Sequence, residues 1–597
     1  MTSDPFKVDE SHLWFSKEAG WPDEVPKNTT FEKRVLGDIL RETAKKYPDK
    51  PAMWFQGVYM NYRELDDTVD RIATALANLG LKKPDVVALL LPNSFQYVVC
   101  FYACMRLGLI VTGCNPTYKA GEILHQLKTV NAKAMIVLDF LYPTAVAPIR
   151  EKSPVQIYIK TNITDLLGLS AVKKFLGSVL GKIPKADVPD AKDFKEMLKT
   201  APAVPKVNVE ADDSATYIMT GGTTGVPKAA ILSHFNCVSN AYQSSLWLFK
   251  VKSGSAVLGI LPLFHSFAMT CVMNISITLG CWMILFPKPP DMEVLCQTIQ
   301  KLGPPEGTMF PGAEVLFKRL AEFPGVKNYD LAGKLNLAVS GAGPLHRPVQ
   351  EAYEKITKGR LAEGYGLTES TPVVSAHPFW GNRKIGTIGL PFPGTEWRIV
   401  EINDTSITIQ PGEMTKDDDG EVIPKSGELI VAGPQVMVGY LNKPDETASH
   451  IIEMDGKKWL LTGDIGFMDD QGRVTINDRK KQLIKNKGWS VFPTEVETLM
   501  MGHEAVNECA VAGLPEATTA GEIIKAWVVI HPQFIGKVTS EELTKWAKEN
   551  MTFYKVPAHI EIIDEIPKSA IGKVMRRTLQ EADPLYIEGM EKRSKGK

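Results

Sequence analysis

Short apolar runs alternate with amphipathic stretches through the first part of the chain, and this alternation limits the fold more than any single motif. Residues 35–47 carry Leu36, Ile39, Leu40 and Ala44 at helical spacing. Residues 52–59 alternate like a hairpin around Gly57, and helical spacing resumes at Tyr62. Residues 86–91 read as a short buried strand, 95–107 as an apolar helix and 109–113 as a further strand. Helices set between short apolar strands predict an α/β domain with a mainly parallel sheet. A chain of 597 residues is long for one compact domain, so two or more are expected.

The pattern changes along the chain. Residues 1–35, with Trp14, Phe15, Trp21 and several prolines, read as an extended arm on a domain surface. Residues 160–210 are irregular and read as a surface insertion. Their amphipathic part, 166–180, suits a plain surface helix or a membrane-touching one. Residues 395–478 carry short alternating strands around a Gly/Asp-rich loop at 411–427, which predicts a small β-rich subdomain. After the charged break Asp478-Arg479-Lys480-Lys481, a new β/α alternation predicts a separate small α+β domain. The division read from this is 1–478, 479–582 and a polar tail 583–597, disordered from about Glu588.

Composition excludes several classes. The chain is 44% hydrophobic and 23% charged with net charge −1, which gives no electrostatic case for nucleic acid. Its eight cysteines are scattered with no Cys-x-x-Cys, which fits buried thiols in a reducing compartment. The ten histidines show no metal-ligand spacing, and the polar N-terminus is no secretory signal. Between Lys252 and Lys288 there is no formal charge, a length that permits a membrane span. Pro262, His265, Asn274 and Gly280 interrupt it, so a buried core helix and strand are expected instead.

Several loops carry chemistry. Thr220, Gly221, Gly222, Thr223, Thr224 and Gly225 form a run of threonine and glycine alone, followed by Lys228 and an apolar return. Glycine lets backbone approach a ligand, and hydroxyls with exposed N–H groups suit phosphate oxygens. Alone, the run also fits a polar turn; it has neither Walker A nor Rossmann spacing. Leu261-Pro-Leu-Phe-His265 lies in the uncharged segment, where a histidine is also an ordinary core residue. A strand ending in Gly341-Ala342-Gly343 and a loop Gly364-Tyr365-Gly366-Leu367-Thr368-Glu369 follow. Thr462-Gly-Asp464 ends another strand on an acid, and Pro567 to Lys573 closes the α+β domain.

In order and spacing, these motifs resemble the adenylate-forming superfamily: acyl-CoA synthetases, firefly luciferase and peptide-synthetase adenylation domains. Leu91-Pro-Asn-Ser-Phe-Gln-Tyr97, Asn115-Pro-Thr-Tyr118 and the Thr-Gly-Gly-Thr-Thr-Gly form of the loop look most like bacterial-type long-chain fatty-acid CoA ligases. The resemblance spans nearly the whole chain. It implies a large N-terminal domain of stacked α/β subdomains plus a β-rich subdomain, with a small mobile α+β C-terminal domain. It implies ATP-dependent activation of a medium- or long-chain fatty acid as acyl-AMP, then transfer to coenzyme A with release of AMP and pyrophosphate.

Site roles follow by the same resemblance. Residues 220–225 would hold the β/γ-phosphates, and Glu369 with Thr223 would help hold Mg²⁺. Tyr365 would stack on adenine beside Gly341, Ala342 and Gly343. Asp464 would take the ribose diol, with Arg479 as its partner; a turn acid is its ordinary reading. Lys573 would bridge carboxylate and α-phosphate, Lys481 would be the hinge, and Lys485, Gly488 and Trp489 would guide CoA. His265 would help order the second half-reaction, and Phe264, Phe267, Met269 and Gly341 would line the acyl pocket. Two positions depart from the usual pattern: Ala229 replaces a glycine and Gly221 a serine. An aryl or alicyclic carboxylate is the competing substrate, and a non-catalytic nucleotide-binding scaffold the competing class. The expected setting is cytoplasmic, with peripheral contact at the inner face of a membrane and a homodimer left open.

Overall fold

The computed structural model describes residues 5–168, 186–220, 227–416, 420–486, 489–515, 521–569 and 572–595. These form two compact units. One takes the described residues up to Trp397 together with Val431–Leu460; the other takes Arg398–Ile430 and the described residues from Leu461 on.

The first unit contains two large sheets. In the eight-stranded sheet the strands run Gly439–Tyr440, Lys228–Ser233, Ser214–Thr220, Ile110–Gly113, Val86–Leu90, Ala134–Leu138, Ile157–Thr161 and Lys192–Asp193. Pairing is parallel from Ser214–Thr220 outward to Lys192–Asp193, with Val87 facing Val111 on one side and Ala134 on the other. The nine-stranded sheet is parallel from Pro51–Phe55 through Trp282–Leu285, Ala256–Gly259, Thr308–Gly312 and Leu335–Ser340 to Arg360–Gly366. The edges alone are antiparallel: Pro51–Phe55 returns as Val58–Asn61 through Gln56 and Gly57, both at positive φ, as a tight hairpin requires. The α/β expectation therefore holds.

One helix joins the sheets. All of Phe95–Leu107 is buried, so an amphipathic surface position is impossible for it. Ser94 caps its N-terminus, and Gly108 ends it in the left-handed conformation. Asn93, just upstream, donates to the Gly259 and Leu261 carbonyls and accepts from the Leu263 N–H. The Tyr62–Asn78 helix opens with a capping box of Asn61 and Glu64.

The uncharged segment folds into the core as expected. Ser266–Ala268 passes through a π-helical turn at Met269–Asn274 into Ile275–Leu279, and Gly280 turns the chain into the buried strand Trp282–Leu285. Among the described residues no helix is long and apolar enough to cross a membrane. All eight cysteines are buried thiols. The amphipathic stretch 166–180 falls mostly outside the described residues.

The second unit opens with antiparallel β-structure. Ile399 faces Ile409, and the 457–468 strand pairs with Val474–Arg479, placing Asp464 opposite Arg479. The 411–427 loop carries its own hairpin, Met414–Lys416 against Val422–Pro424. Beyond it, Val506–Pro515 and Glu522–Ile530 pair antiparallel, with His559–Ile562 added in parallel. Helices Pro493–Met500 and Ser540–Asn550 cover one face through Val496, Met500, Leu543 and Ala547.

One expectation is sharpened and one is corrected. The N-terminal arm is irregular and most of its described residues remain in contact with water, but Trp14, Phe15 and Trp21 are buried, with Trp14 edge-on to Trp397 and Trp21 edge-on to Trp247. Three large rings so close in sequence bury more apolar area than a polar chain could leave in water. The tail is not disordered from Glu588; Pro584–Lys595 is a helix. Leu585 and Tyr586 pack on Leu514 and Trp527, covering the sheet face that the other helices leave open. Gly589 sits where a Cβ would meet the Pro515 carbonyl at 2.4 Å. Lys525, paired with Glu561 and Asp583, anchors the entry to this helix.

Candidate active site

In the first unit the parallel strands of the nine-stranded sheet end in loops around a cavity of about 860 Å³. Carboxyl ends of parallel strands are where open α/β sheets receive ligands. The cavity's depth is apolar: Trp247, Ile275, Met309, Phe310, Leu337 and Phe392 are among its walls. Of the residues expected from sequence, His265, Phe267, Gly341, Ala342, Gly364, Tyr365, Gly366 and Thr368 line this one cavity.

Local geometry explains their placement. Ser340 faces Glu363 in parallel register, so the loops after both strands start side by side. Gly341 packs so closely on the Phe267 ring that a Cβ would lie 2.9 Å from its Cε1. A Cβ on Gly366 would lie 1.9 Å from the Pro372 carbonyl oxygen, so no larger residue fits there. Ala342 holds φ of 69°, a left-handed conformation that strains a residue with a Cβ. His265 caps the short Ser266–Ala268 helix, its Nδ1 accepting from the Phe267 N–H at 3.2 Å. The Ser266 and Thr368 hydroxyls lie 3.4 Å apart. Phe264 and Met269 are not on the cavity wall: Phe264 packs over Gly113, and Met269 is buried in the π-helical turn.

Glu369 belongs to a second polar cluster. Its Oε1 accepts from the Tyr440 hydroxyl at 2.8 Å, and its carbonyl accepts from the Met437 N–H. Burial, then the Glu369 charge, pushes the Tyr440 phenol well above its ordinary range, so it donates throughout the physiological range. The Lys228 ammonium lies 5.1 Å from the centre of the Tyr440 ring and pairs with Glu446. Thr220 faces Lys228 across the base of the Thr/Gly loop. Gly221, Gly222, Thr223, Thr224 and Gly225 lie outside the described residues, as does Gly488.

In the second unit Arg479 Nε lies 3.1 Å from Asp464 Oδ1, and Asp464 is buried. Thr462 Oγ1 accepts from the Asp464 N–H and donates to the Leu429 carbonyl, which fixes the acid's backbone. Lys481 lies in the short helix Lys480–Gln482. Lys485, exposed, is on a strand that pairs with Trp489–Val491, so the backbone segments flanking the expected CoA loop form a hairpin. Lys573 closes a tight turn: its N–H donates to Ser569 Oγ and its carbonyl accepts from the Ser569 N–H.

Some contributors had no sequence signal. Tyr440 and Glu446 follow Glu369 by about seventy residues and belong to no recognisable motif. The apolar walls come from segments spread between 244 and 392, each of which reads locally as ordinary core. Glu363 stands inside a legible loop, but nothing in its neighbours announces a buried acid. Burial, with Glu314 nearby, raises its carboxyl to about 8 against the opposing Leu345 N–H.

Comparison with known proteins decides the family. Residues 40–441 match the AMP-binding enzyme family, and residues 495–573 match the AMP-binding enzyme C-terminal domain. The chain belongs to the AMP-binding enzyme family. It is similar to a long-chain-fatty-acid–CoA ligase of Bacillus subtilis, 37% identical over 574 residues, covering 95% of this chain and 97% of that protein. A protein of the same name from Escherichia coli O6:H1 is 35% identical over 579 residues, covering 95% and 98%. A probable 4-coumarate–CoA ligase of Dictyostelium discoideum is 31% identical, covering 93% and 96%. Among solved structures, ATP-bound MatB from Rhodopseudomonas palustris has TM-score 0.77 at 23% identity, covering 93% of this chain and 100% of that chain. A long-chain-fatty-acid–CoA ligase from Archaeoglobus fulgidus has TM-score 0.64 at 24% identity, covering 90% and 98%. These structures share the fold of this AMP-binding enzyme.

Proposed function

We propose that this enzyme is an AMP-forming fatty acyl-CoA ligase. Its substrates are a medium- or long-chain fatty acid, ATP and coenzyme A. The observation that carries the reading is the cavity: one apolar space whose rim is built from the 341–342 and 364–368 loops, in a chain of this family. An alkyl chain would occupy the apolar depth and leave its carboxylate at the rim. In the first half-reaction a carboxylate oxygen attacks the α-phosphorus of ATP, and the bond to the bridging oxygen of pyrophosphate breaks. In the second, the CoA sulfur attacks the acyl carbon, the thiol proton is lost and AMP leaves.

The roles of individual residues are part of the same proposal. Thr220 and the loop to Gly225, with Lys228, position the β/γ-phosphates; Tyr365 and the 341–343 loop receive the adenine. Asp464 takes the ribose hydroxyls as a paired acceptor, held by Arg479. Lys573 supplies positive charge where it develops on the α-phosphoryl oxygens. His265 and the 485–489 segment serve the thiol step. The residues 1–478 and 479–582 would act as the parts that move about Lys481 between steps. Glu369 fits Mg²⁺, because Tyr440 takes Oε1 and leaves Oε2 without a partner among the described residues. A hard cation takes such oxygen ligands, and Thr223 would be the second donor. The ion would neutralise phosphate charge when bound.

Carboxylate-dependent exchange of labelled pyrophosphate into ATP tests the reading. A panel from acetate through octanoate and palmitate to benzoate should give the highest kcat/KM with an alkyl acid. Preference for benzoate would favour the aryl reading, and no exchange with any acid would refute the ligase assignment. Pelleting with vesicles before and after a salt wash tests peripheral membrane contact, and light scattering tests for a homodimer.

A further inference from the structure

We propose that Trp247 is the end stop of the alkyl pocket and that the N-terminal arm, through Trp21, holds it in place. The arm thereby sets which acyl length the enzyme accepts. This deepens the fatty-acid reading and rests on it. The cavity runs sideways across the nine-stranded sheet. Gly341, at its rim, follows the strand Leu335–Ser340, and Phe392 follows Leu390–Pro391, three strands further on at the edge of the sheet. Gly364, Val373 and Ala376, on the two strands between, also line it. With neighbouring strands about 4.8 Å apart, those three steps span about 14 Å, which suits an extended alkyl chain better than a single aryl ring.

At the sheet edge the wall is aromatic. Trp247, the last residue of the His234–Trp247 helix, stands there with Leu248, Phe379 and Phe392. Its indole is fixed from three directions. The N–H donates to the His377 carbonyl at 3.3 Å, and His377 is itself tied to the sheet by its own N–H, which donates to the Glu363 carbonyl. The Phe392 ring lies 5.2 Å away, tilted by 33°. On the remaining side Trp21 meets it edge-on, 5.4 Å between centres at 76°. Trp21 is anchored in turn: its N–H donates to the Val25 carbonyl at 2.9 Å, and Phe15 packs edge-on at 4.5 Å.

A buried tryptophan is ordinarily core. This one has a cavity on one side and, on the other, an arm that lends the cavity no residue of its own among those described. Trp247 is therefore the partition between the two. Edge-on ring pairs fix orientation as well as burying area, so the partition is stiff. To swing out of the path of a longer chain, the indole would leave its His377 acceptor and strand a buried N–H. Cutting Trp247 back opens the cavity toward the arm. Cutting Trp21 back leaves the indole in place but gives it room to yield.

The experiment compares the whole wild-type enzyme with Trp247→Ala, Trp247→Leu and Trp21→Leu. Saturated straight-chain acids from octanoate to hexacosanoate are presented in cyclodextrin and assayed by pyrophosphate exchange. The readout is the kcat/KM of acids beyond the wild-type length limit, relative to that of the acid at the limit. This ratio should rise about tenfold in Trp247→Ala, with a smaller rise in Trp247→Leu. In Trp21→Leu it should rise about fourfold, one methylene's worth. A ratio unchanged in the Trp247 variants, or a loss shared evenly by all lengths, overturns the end stop. A wild-type ratio in Trp21→Leu overturns the role of the arm. If Trp247→Ala does not fold, the two leucine variants decide. Isothermal titration with the same acids and no ATP repeats the comparison without catalysis. A length limit that moves in the variants, with no exchange in wild type, sinks the ligase reading and keeps the end stop. Exchange with an unmoved limit does the reverse.

Discussion

Tyr440→Phe removes one oxygen atom and tests whether Glu369 must be held in place. The Tyr440 hydroxyl donates to Glu369 Oε1 at 2.8 Å, a normal O–H···O length, and the acceptor is a carboxylate. Bonds to charged groups contribute about 1.5–3 kcal/mol. Glu369 is only half-buried, so water can replace part of the lost bond, and the lower end, about 1.5 kcal/mol, applies. That is about a tenfold loss in kcat/KM for MgATP, since each 1.4 kcal/mol is about tenfold. The ring stays, and with it the Lys228 contact at 5.1 Å from the ring centre, so the loss is confined to the carboxylate. The assay is ATP–pyrophosphate exchange with ATP and Mg²⁺ varied separately. The Mg²⁺ requirement should rise while the acid preference stays fixed and Tm moves by no more than about 3 °C. An unchanged kcat/KM for MgATP, or a changed chain-length preference, would refute the reasoning.

Lys573→Ala should abolish acyl-AMP formation in the exchange assay and spare thiolysis of supplied acyl-AMP; equal loss of both steps would count against separate roles for the C-terminal residues. Gly341→Ala pushes its Cβ to 2.9 Å from the Phe267 ring, which must shift at the cavity wall. The longest acids should then lose about 1 kcal/mol, roughly fivefold in kcat/KM, for each methylene excluded, with shorter acids spared. Burial lowers His234 to about 4 from 6.5. The unfolded chain therefore takes up a proton first on acidification, and stability falls from about pH 6.5 to pH 4. Across that window His234→Gln should remove on the order of 3 kcal/mol of the pH dependence seen in urea unfolding, the energy of a 2.5-unit shift. A variant as acid-sensitive as wild type would exclude His234 as the source.

Much of the site was legible because its chemistry needs particular backbone. Gly366 stands where a Cβ would strike a carbonyl, and Gly341 where one would strike Phe267, so close approach leaves its mark as glycine. The strands and helices were legible because each buries one periodic face. The tail helix was not, because the 583–597 segment is polar and its stabilising contacts, on Leu514 and Trp527, are some sixty to seventy residues away in sequence. The cavity wall was only partly legible. Phe264, Phe267 and Met269 are equally apolar neighbours, yet of the three only Phe267 faces the cavity: Phe264 packs over Gly113 and Met269 is buried in the π-helical turn.

Sequence by itself determined the family, the order of the elements and the loops that carry polar chemistry. Those depend on local periodicity, on glycines demanded by backbone geometry and on motifs short enough to read in line. Tertiary structure alone decided that Tyr440 bonds Glu369, that the cavity walls come from distant segments, and that Glu363 is buried. Solvent exclusion and electrostatic proximity arise between residues far apart in the chain. A glutamate in a strand reads the same whether it faces water or the core; only packing sets which, and at Glu363 burial pushes the carboxyl up to about 8.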